Sequence, residues 1–181
     1  MDSEILAVKI DKIDAVLGVV LVAASRQGVR YIALGDDSDA VQMSLRQYYA
    51  RLKRGFVVDN TIIPPDTLQK WSQAVMEMCR GNVIAELPPM EIIGTDLQQK
   101  IWAELLKIPR GEVLTYKQLG EKIAVHQRVV GTLGMGKNPL AVIIPCHRVV
   151  YQDRKKPDSY GFGRARKIEL LRREGVARYV V

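Results

Sequence analysis

Apolar positions change period along the chain. Residues 6–13 alternate loosely between apolar and polar, residues 16–24 form a β-branched apolar run, and residues 29–34 form another. Alternation and short apolar runs between turn residues predict strands. Ser25-Arg26-Gln27-Gly28 separates the last two, which reads as a hairpin, and Gly35-Asp36-Asp37 ends the second. The period then becomes helical. Val41, Leu45, Tyr48, Tyr49 and Leu52 share one face, with Ser38 placed to cap the helix and Gly55 to stop it. Residues 56–58 read as an edge strand. Pro64-Pro65-Asp66 opens a second helix carrying Leu68, Trp71, Val75 and Met78 on one face. Residues 82–93 contain Pro88-Pro89 and read as a connection with a short strand. The domain boundary is placed there, giving an N-terminal α/β domain, residues 1–90, and a C-terminal domain, residues 91–181.

The second half is mostly helical. Thr95 caps a helix over residues 96–107, Pro109-Arg110-Gly111 breaks it, and Thr115 caps a short helix over residues 116–123. After a turn at residues 124–126, a further helix is predicted over residues 127–136. Two short helices joined by a tight turn match a helix-turn-helix. The second carries Gly131, Gly134 and Gly136, each costing about 1 kcal/mol of helix stability against alanine. Small residues there admit a close approach, either to a narrow DNA groove or to another protein element. A strand over residues 141–144 reaches Pro145. A charged loop (153–158), a Gly-aromatic loop (159–163) and a basic helix (164–173) follow, and Glu174-Gly175 closes the chain's last helix.

Composition narrows the chemistry. The 181 residues are 48% hydrophobic and 26% charged, ordinary for a globular protein of one large or two small domains. A formal net charge of +7 favours a polyanionic partner, nucleic acid first, although a merely basic protein fits equally. Two cysteines and two histidines make neither a disulfide framework nor a zinc cluster, so no metal is expected. Cys79 reads as a packing residue. The apolar run at residues 15–24 is too short to span a bilayer and follows acidic residues. A cytoplasmic or nuclear location, with no membrane partner, is therefore expected.

The most chemically loaded stretch is Ile143-Ile144-Pro145-Cys146-His147-Arg148-Val149-Val150. Proline lacks an N–H and fixes φ, so the chain turns there and sets a thiol beside an imidazole between apolar flanks. A neighbouring base can make such a thiol a nucleophile near neutral pH. Taken alone, the pair fits a buried cysteine acting as a small hydrophobe equally well.

The ordered set around this stretch resembles the O6-alkylguanine-DNA alkyltransferases. Ile144-Pro145-Cys146-His147-Arg148-Val149 is similar to the family's active-site signature. Gly94-Thr95, Gln98-Gln99 and Trp102, Gly111-Glu112-Val113, Thr115-Tyr116, Asn138-Pro139, and Tyr160 through Glu174 fall in the family's order. The last of these resembles the C-terminal half of bacterial Ada-type proteins. The resemblance implies a ribonuclease H-like first domain with a small antiparallel sheet and helices. It also implies single-turnover DNA repair without a cofactor. A monomer would bind the minor groove of double-stranded DNA, flip out an O6-alkylguanine (or O4-alkylthymine) and transfer its alkyl group to Cys146. That chemistry is coherent, since a thiolate is a strong soft nucleophile, a flipped base can reach it, and donors can stabilise the leaving guanine.

By the same resemblance, His147 relays the thiol proton through a water, Glu174 orients His147, and Asn138 is a hinge. Tyr116 donates to guanine N3, and Met135, Val149, Tyr160 and Gly161 line the substrate pocket. Arg128 is the finger filling the duplex, with Thr115, Gln127 and Gly131 also on DNA. Read without the resemblance, Glu174 is a helix-end carboxylate paired with Arg172 or Arg173. The chain departs from the family pattern in three ways. The stretch from Arg128 to Asn138 is one residue longer, with Gly134 or Gly136 as the candidate extra residue in a bulge. The connection from Tyr116 to Arg128 is shorter. Gly161 and Ala141 stand where many relatives have serine and proline. Other readings are an alkyltransferase-like binder, against which Cys146 argues, a plain helix-turn-helix regulator, and a cysteine hydrolase, for which no oxyanion-hole motif is evident.

Overall fold

Alternating residues in the first stretch form a long strand, β1 (Ser3–Asp14), which pairs antiparallel with β2 (Gly18–Ala24) in a register that sets Ile10 against Leu21. The reversal is an Asx turn in which Asp14 Oδ1 accepts from the backbone N–H groups of Val16 at 2.9 Å and Leu17 at 3.0 Å. β3 (Val29–Gly35) completes the meander. The computed structural model describes residues 3–153 and 159–176, so residues 154–158 of the expected charged loop lie outside the described residues. The chain divides into two units, Met1–Ile93 and Gly94–Val181.

In the first unit, α1 (Ser38–Arg51) follows β3 and leads to β4 (Gly55–Val58), which pairs parallel with β1 in a sheet of order β3-β2-β1-β4. The sheet is therefore mixed, which corrects the expected antiparallel sheet. A helical crossover is long enough to return the chain in the parallel sense, as a tight turn cannot. The cap of α1 is Asp37 rather than Ser38, because the extended Asp37 backbone lets its carboxylate accept from Ala40 N–H at 2.8 Å. On α2 (Pro65–Cys79) the buried set is Leu68, Ser72, Val75, Met76 and Cys79. Met78 yields its place because Leu68 packs on Ala7 and Ala24, and Ser72 bonds Asp11 Oδ2 at 2.6 Å, which rotates the stripe toward Cys79. In the connection expected to hold a short strand, the strand pairing is a single bridge from Met90 to Val29.

In the second unit, α3 (Asp96–Leu105) begins in a capping box made by Thr95 and Gln98 and buries Ile101, Trp102 and Leu105. The Trp102 ring lies so close to Gly94 that an added Cβ would meet it at 2.4 Å. β5 (Leu114–Thr115) leads directly into α4 (Tyr116–Ile123), capped by a second box from Thr115 and Gln118. α4 ends at Ala124 in the left-handed region, φ 56°, and Val125 N–H returns to Gly120 O at 2.9 Å. The expected helix over residues 127–136 is not a regular α-helix. α5 (Gln127–Val129) makes one turn and passes into a π-helical turn (Val130–Met135), in which Gly136 N–H reaches Gly131 O at 3.0 Å. A π turn takes one more residue than an α turn, so it absorbs an insertion without breaking the helix.

The expected strand over residues 141–144 is also replaced, by two successive γ-turns. Ile143 N–H bonds Ala141 O at 2.9 Å across Val142, whose φ is 72°, and Cys146 N–H bonds Ile144 O at 2.7 Å across Pro145 at φ −80°, ψ 61°. β6 (Val149–Val150) then pairs parallel with β5, and α6 (Arg164–Arg173) packs Leu171 against Val150 and Val176.

The turn from α4 to α5 has no room for a side chain at Gly120, where a Cβ would sit 2.4 Å from the Val125 carbonyl oxygen. Gly120→Ala is expected to lower stability in urea by about 1–3 kcal/mol, the range of an overpacked site. An unchanged denaturation midpoint would show that this turn relaxes freely.

Candidate active site

Asn138 replaces the strand with a knot. Its Nδ2 donates to Ile144 O at 2.9 Å and to Cys146 Sγ at 3.0 Å, while its Oδ1 accepts from Leu140 N–H at 3.0 Å. The carbonyl and N–H that a strand partner would use are thus taken by one side chain. The knot holds buried Val142 in the left-handed region, a costly place for a β-branched residue that persists only where its surroundings enforce it.

Cys146 opens a short 3₁₀ turn with His147 and Arg148. Its thiol is buried, and burial pushes its pKa up, against the Asn138 N–H and the Lys167 and Tyr160 side chains, which act to lower it. It therefore rests as a thiol at neutral pH. His147 is fully buried, and burial, outweighing Glu174, holds its pKa below the usual range.

Glu174, at the C-cap of α6, is the partner of that imidazole. Burial alone would raise its pKa, but His147 and Arg148 outweigh burial and bring it down to about 2. Arg148 grips both carboxylate oxygens, Nε to Oε2 at 2.9 Å and Nη2 to Oε1 at 2.8 Å, and its Nη1 donates to Ile108 O at 2.6 Å. An ionised carboxylate only accepts, so His147 Nε2 carries the proton in its 2.9 Å contact with Glu174 Oε1. Nδ1 is left as the basic nitrogen, buried and without a hydrogen-bond partner among the described residues. The pairing of Glu174 with Arg172 or Arg173 that its position suggests does not form, because Glu169 takes those two guanidiniums, at 2.8 Å and 2.6 Å.

A cavity of about 860 Å³ opens at the thiol. It brings together the expected nucleophile Cys146 with Tyr116, Met135, Tyr160 and Gly161 of the expected substrate residues. Gln127, Arg128 and Gly131 of the expected DNA-binding set share its wall. Arg128 is exposed, and a Cβ added at Gly161 would meet nothing within 4 Å. Val149 is not on the wall, which corrects its expected place. Its pairing with Leu114 and full burial put its side chain in the core, while its carbonyl accepts from Lys167 Nζ at 2.6 Å. Thr115 is spent on the α4 cap, its Oγ1 accepting from Gln118 N–H at 3.1 Å.

Three residues were not singled out from sequence. Lys167 is fully buried, although it lies in a basic helix that reads as solvated. Its spacing to Leu170, Leu171 and Glu174 places it on the apolar stripe of α6, and that spacing is a signal in the sequence. Arg148 lies within the Cys-His-Arg run. Tyr151 leans on Tyr116 with ring centroids 4.9 Å apart and gives no sequence signal beyond its proximity to Cys146. Among the described residues, no group of three or more His, Cys, Asp or Glu is placed to hold a metal, and no helix is long and apolar enough to cross a membrane.

A family model described as the 6-O-methylguanine DNA methyltransferase DNA-binding domain matches residues 96–176. The chain is similar to the bifunctional transcriptional activator/DNA repair enzyme Ada of Escherichia coli K12, at 37% identity over 175 residues, 94% of this chain and 46% of that protein. It is also 46% identical over 85 residues to the methylated-DNA–protein-cysteine methyltransferase of Candida albicans, covering 47% of each. The chain thus spans about half the length of the curated relatives it matches. The crystal structure of Mycobacterium tuberculosis OGT in complex with DNA superposes with a TM-score of 0.66 at 26% identity, over 92% of each chain.

His147 and Glu174 both bind fewer protons folded than unfolded, so their stabilisation is complete above about pH 6.5 and is lost as pH falls. The thermal midpoint is expected to drop first below about pH 6.5 and again from about pH 4.3 toward the Glu174 value of about 2. Glu174→Gln removes the second component. A wild-type minus Glu174→Gln difference that stays constant from pH 7 to pH 3 would mean that Glu174 is not held ionised.

Proposed function

We propose that this chain is a member of the O6-methylguanine DNA methyltransferase family that repairs DNA by direct reversal, moving an alkyl group from guanine O6 to Cys146. One observation carries the reading above the others. A thiol on the wall of an open cavity receives an Asn138 N–H and adjoins a neutral imidazole with a partnerless Nδ1.

The first unit, with sheet order β3-β2-β1-β4, supports a ribonuclease H-like scaffold, and α4 with α5 and the π turn a helix-turn-helix. In this reading double-stranded DNA meets that motif through its minor groove, with Gln127, Gly131 and Thr115 nearby. The alkylated guanine leaves the stack and enters the cavity, and Arg128, exposed at its rim, fills the vacated space. O4-alkylthymine is a second substrate of the same geometry. The protein acts as a monomer, inside the cell with its DNA.

The thiol proton passes toward His147 Nδ1 through a water, and Glu174 stabilises the cation that forms. Sulfur attacks the alkyl carbon, the S–C bond forms as the O6–C bond breaks, and the electron pair leaves on guanine. Tyr116 donating to N3 and the Gly161 N–H donating to O6 offset the charge there. Asn138 holds Sγ in place. The thioether has no route back to a thiol, so each chain acts once.

Incubation with duplex DNA holding one O6-methylguanine is expected to add a single methyl group, found by peptide mass spectrometry on Cys146 and limited to one equivalent. Repeated turnover without an adduct would overturn the suicide mechanism. Tight binding with no adduct would favour the non-catalytic binder. Cys146→Ala is expected to abolish transfer while still binding DNA.

Binding should weaken steeply with salt, and Arg128→Ala should slow repair by about tenfold or more, the scale of one lost contact of 1.4 kcal/mol. A flat salt dependence, or full repair by Arg128→Ala, would count against this DNA-binding face and this finger.

A further inference from the structure

The ladder beside the thiol ends in a pair of rings. β5 and β6 run parallel, with Leu114 against Val149 and Thr115 against Val150. One step beyond that register stand Tyr116 and Tyr151. Partners in a parallel ladder rise in phase, so their side chains leave on the same side. The register therefore accounts for the contact of the two rings, whose centroids are 4.9 Å apart with planes tilted by 36°. Both tyrosines line the cavity that opens at Cys146.

Tyr151 stands on a firm support. Val149 and Val150 are buried, Val150 against Leu171 and Val176, and the Val149 carbonyl is held by Lys167 Nζ. The same segment begins at the thiol, since the 3₁₀ turn opened by Cys146 runs straight into β6 and Tyr151. Tyr116 comes from a different segment, the start of α4. Gly131 gives its ring no side chain to lean on; a Cβ there would come only to 3.7 Å from Cε1 and 3.9 Å from Cδ1. A tyrosine hydroxyl lies on the axis of its ring flip, so χ1 is the side-chain torsion that displaces it. A ring packed against the Tyr116 ring resists that swing.

We propose that Tyr151 is a positioning residue, whose ring holds χ1 of Tyr116 and so fixes the Tyr116 hydroxyl relative to the Cys146 thiol. The inference rests on the alkyl-transfer reading, in which that hydroxyl donates to guanine N3, and adds to it a residue that acts through Tyr116. A donor stabilises developing charge by geometry set before the reaction, so a donor that wanders loses its value. Tyr151 therefore acts on the rate of transfer, while DNA affinity rests on phosphate contacts elsewhere.

The test is a double-mutant cycle of Tyr151→Ala and Tyr116→Phe. Its readout is the single-turnover rate of methyl transfer to Cys146 at saturating duplex DNA holding O6-methylguanine. Tyr116→Phe removes the hydroxyl and is expected to slow transfer by about a hundredfold, the scale of one lost donor to developing charge. Tyr151→Ala is expected to slow transfer by about tenfold in the wild-type background and to add no loss in the Tyr116→Phe background, because residues acting through one another are not additive. Tyr151→Phe, which keeps the ring, restores the rate, and DNA affinity is the same throughout. Equal slowing by Tyr151→Ala in both backgrounds, or weaker DNA binding at an unchanged rate, overturns the proposal. Tyr151→Leu, which keeps bulk without a ring, takes its place in the cycle if Tyr151→Ala does not unfold cooperatively. Without DNA, three-bond NMR couplings to the Tyr116 ring are expected to report one χ1 rotamer in wild type and an average in the Tyr151 variant; one rotamer in both overturns the proposal. A wild type that moves no methyl group to Cys146 removes the functional reading instead, and the couplings still judge the hold of one ring on the other.

Discussion

A carboxylate shut away from water organises the chemistry of this protein. Glu174 is 6% exposed and still ionised, because Arg148 meets both its oxygens and His147 donates to one of them. A lone buried charge costs several kcal/mol, so losing either partner would leave the site strongly destabilised. The pairing also fixes the imidazole tautomer, which leaves Nδ1 basic, and it ties the C-cap of α6 to the turn bearing the thiol. Through Arg148 Nη1 the tie extends to Ile108 O, just beyond α3. One ion pair thus joins three segments that are remote in sequence.

The second constraint is backbone satisfaction. Residues 141–144 are apolar and β-branched enough for a strand, but among the described residues no strand pairs with them. Asn138 supplies the missing partners with both ends of its amide, and the chain folds into γ-turns with Val142 in the left-handed region. That conformation costs about 1–3 kcal/mol, which the surrounding core must offset. It aims the thiol at the cavity and at the Asn138 N–H. Here local propensity yields to tertiary bonding, and the site draws its geometry from that conflict.

The same competition explains which side chains sequence patterns identify. Capping boxes at Thr95 and Thr115 are local and legible, because donor and acceptor lie three residues apart. Buried Lys167 is not, because a lysine in a basic helix reads as solvated until the Val149 carbonyl is seen to receive it. Val149 fails in the opposite direction. It belongs to the signature run, yet its side chain goes into the core and only its carbonyl is used. The extra residue between Arg128 and Asn138 is countable in sequence, but its form as a π turn depends on Trp102 and Ile101 of another helix.

By itself the sequence determined the helices and strands whose signals are local, the reactive pair Cys146-His147, and a basic chain suited to a polyanion. Through its resemblance it also grouped Tyr116, Asn138, Tyr160 and Glu174 around that pair. Only the tertiary structure decided the parallel return of β4, the γ-turns before the thiol, the tautomer of His147 and the π turn lining the cavity. Each of these depends on a hydrogen bond or ion pair between residues far apart in the chain or on opposite sides of a turn. Such partners leave no periodicity for a sequence pattern to carry.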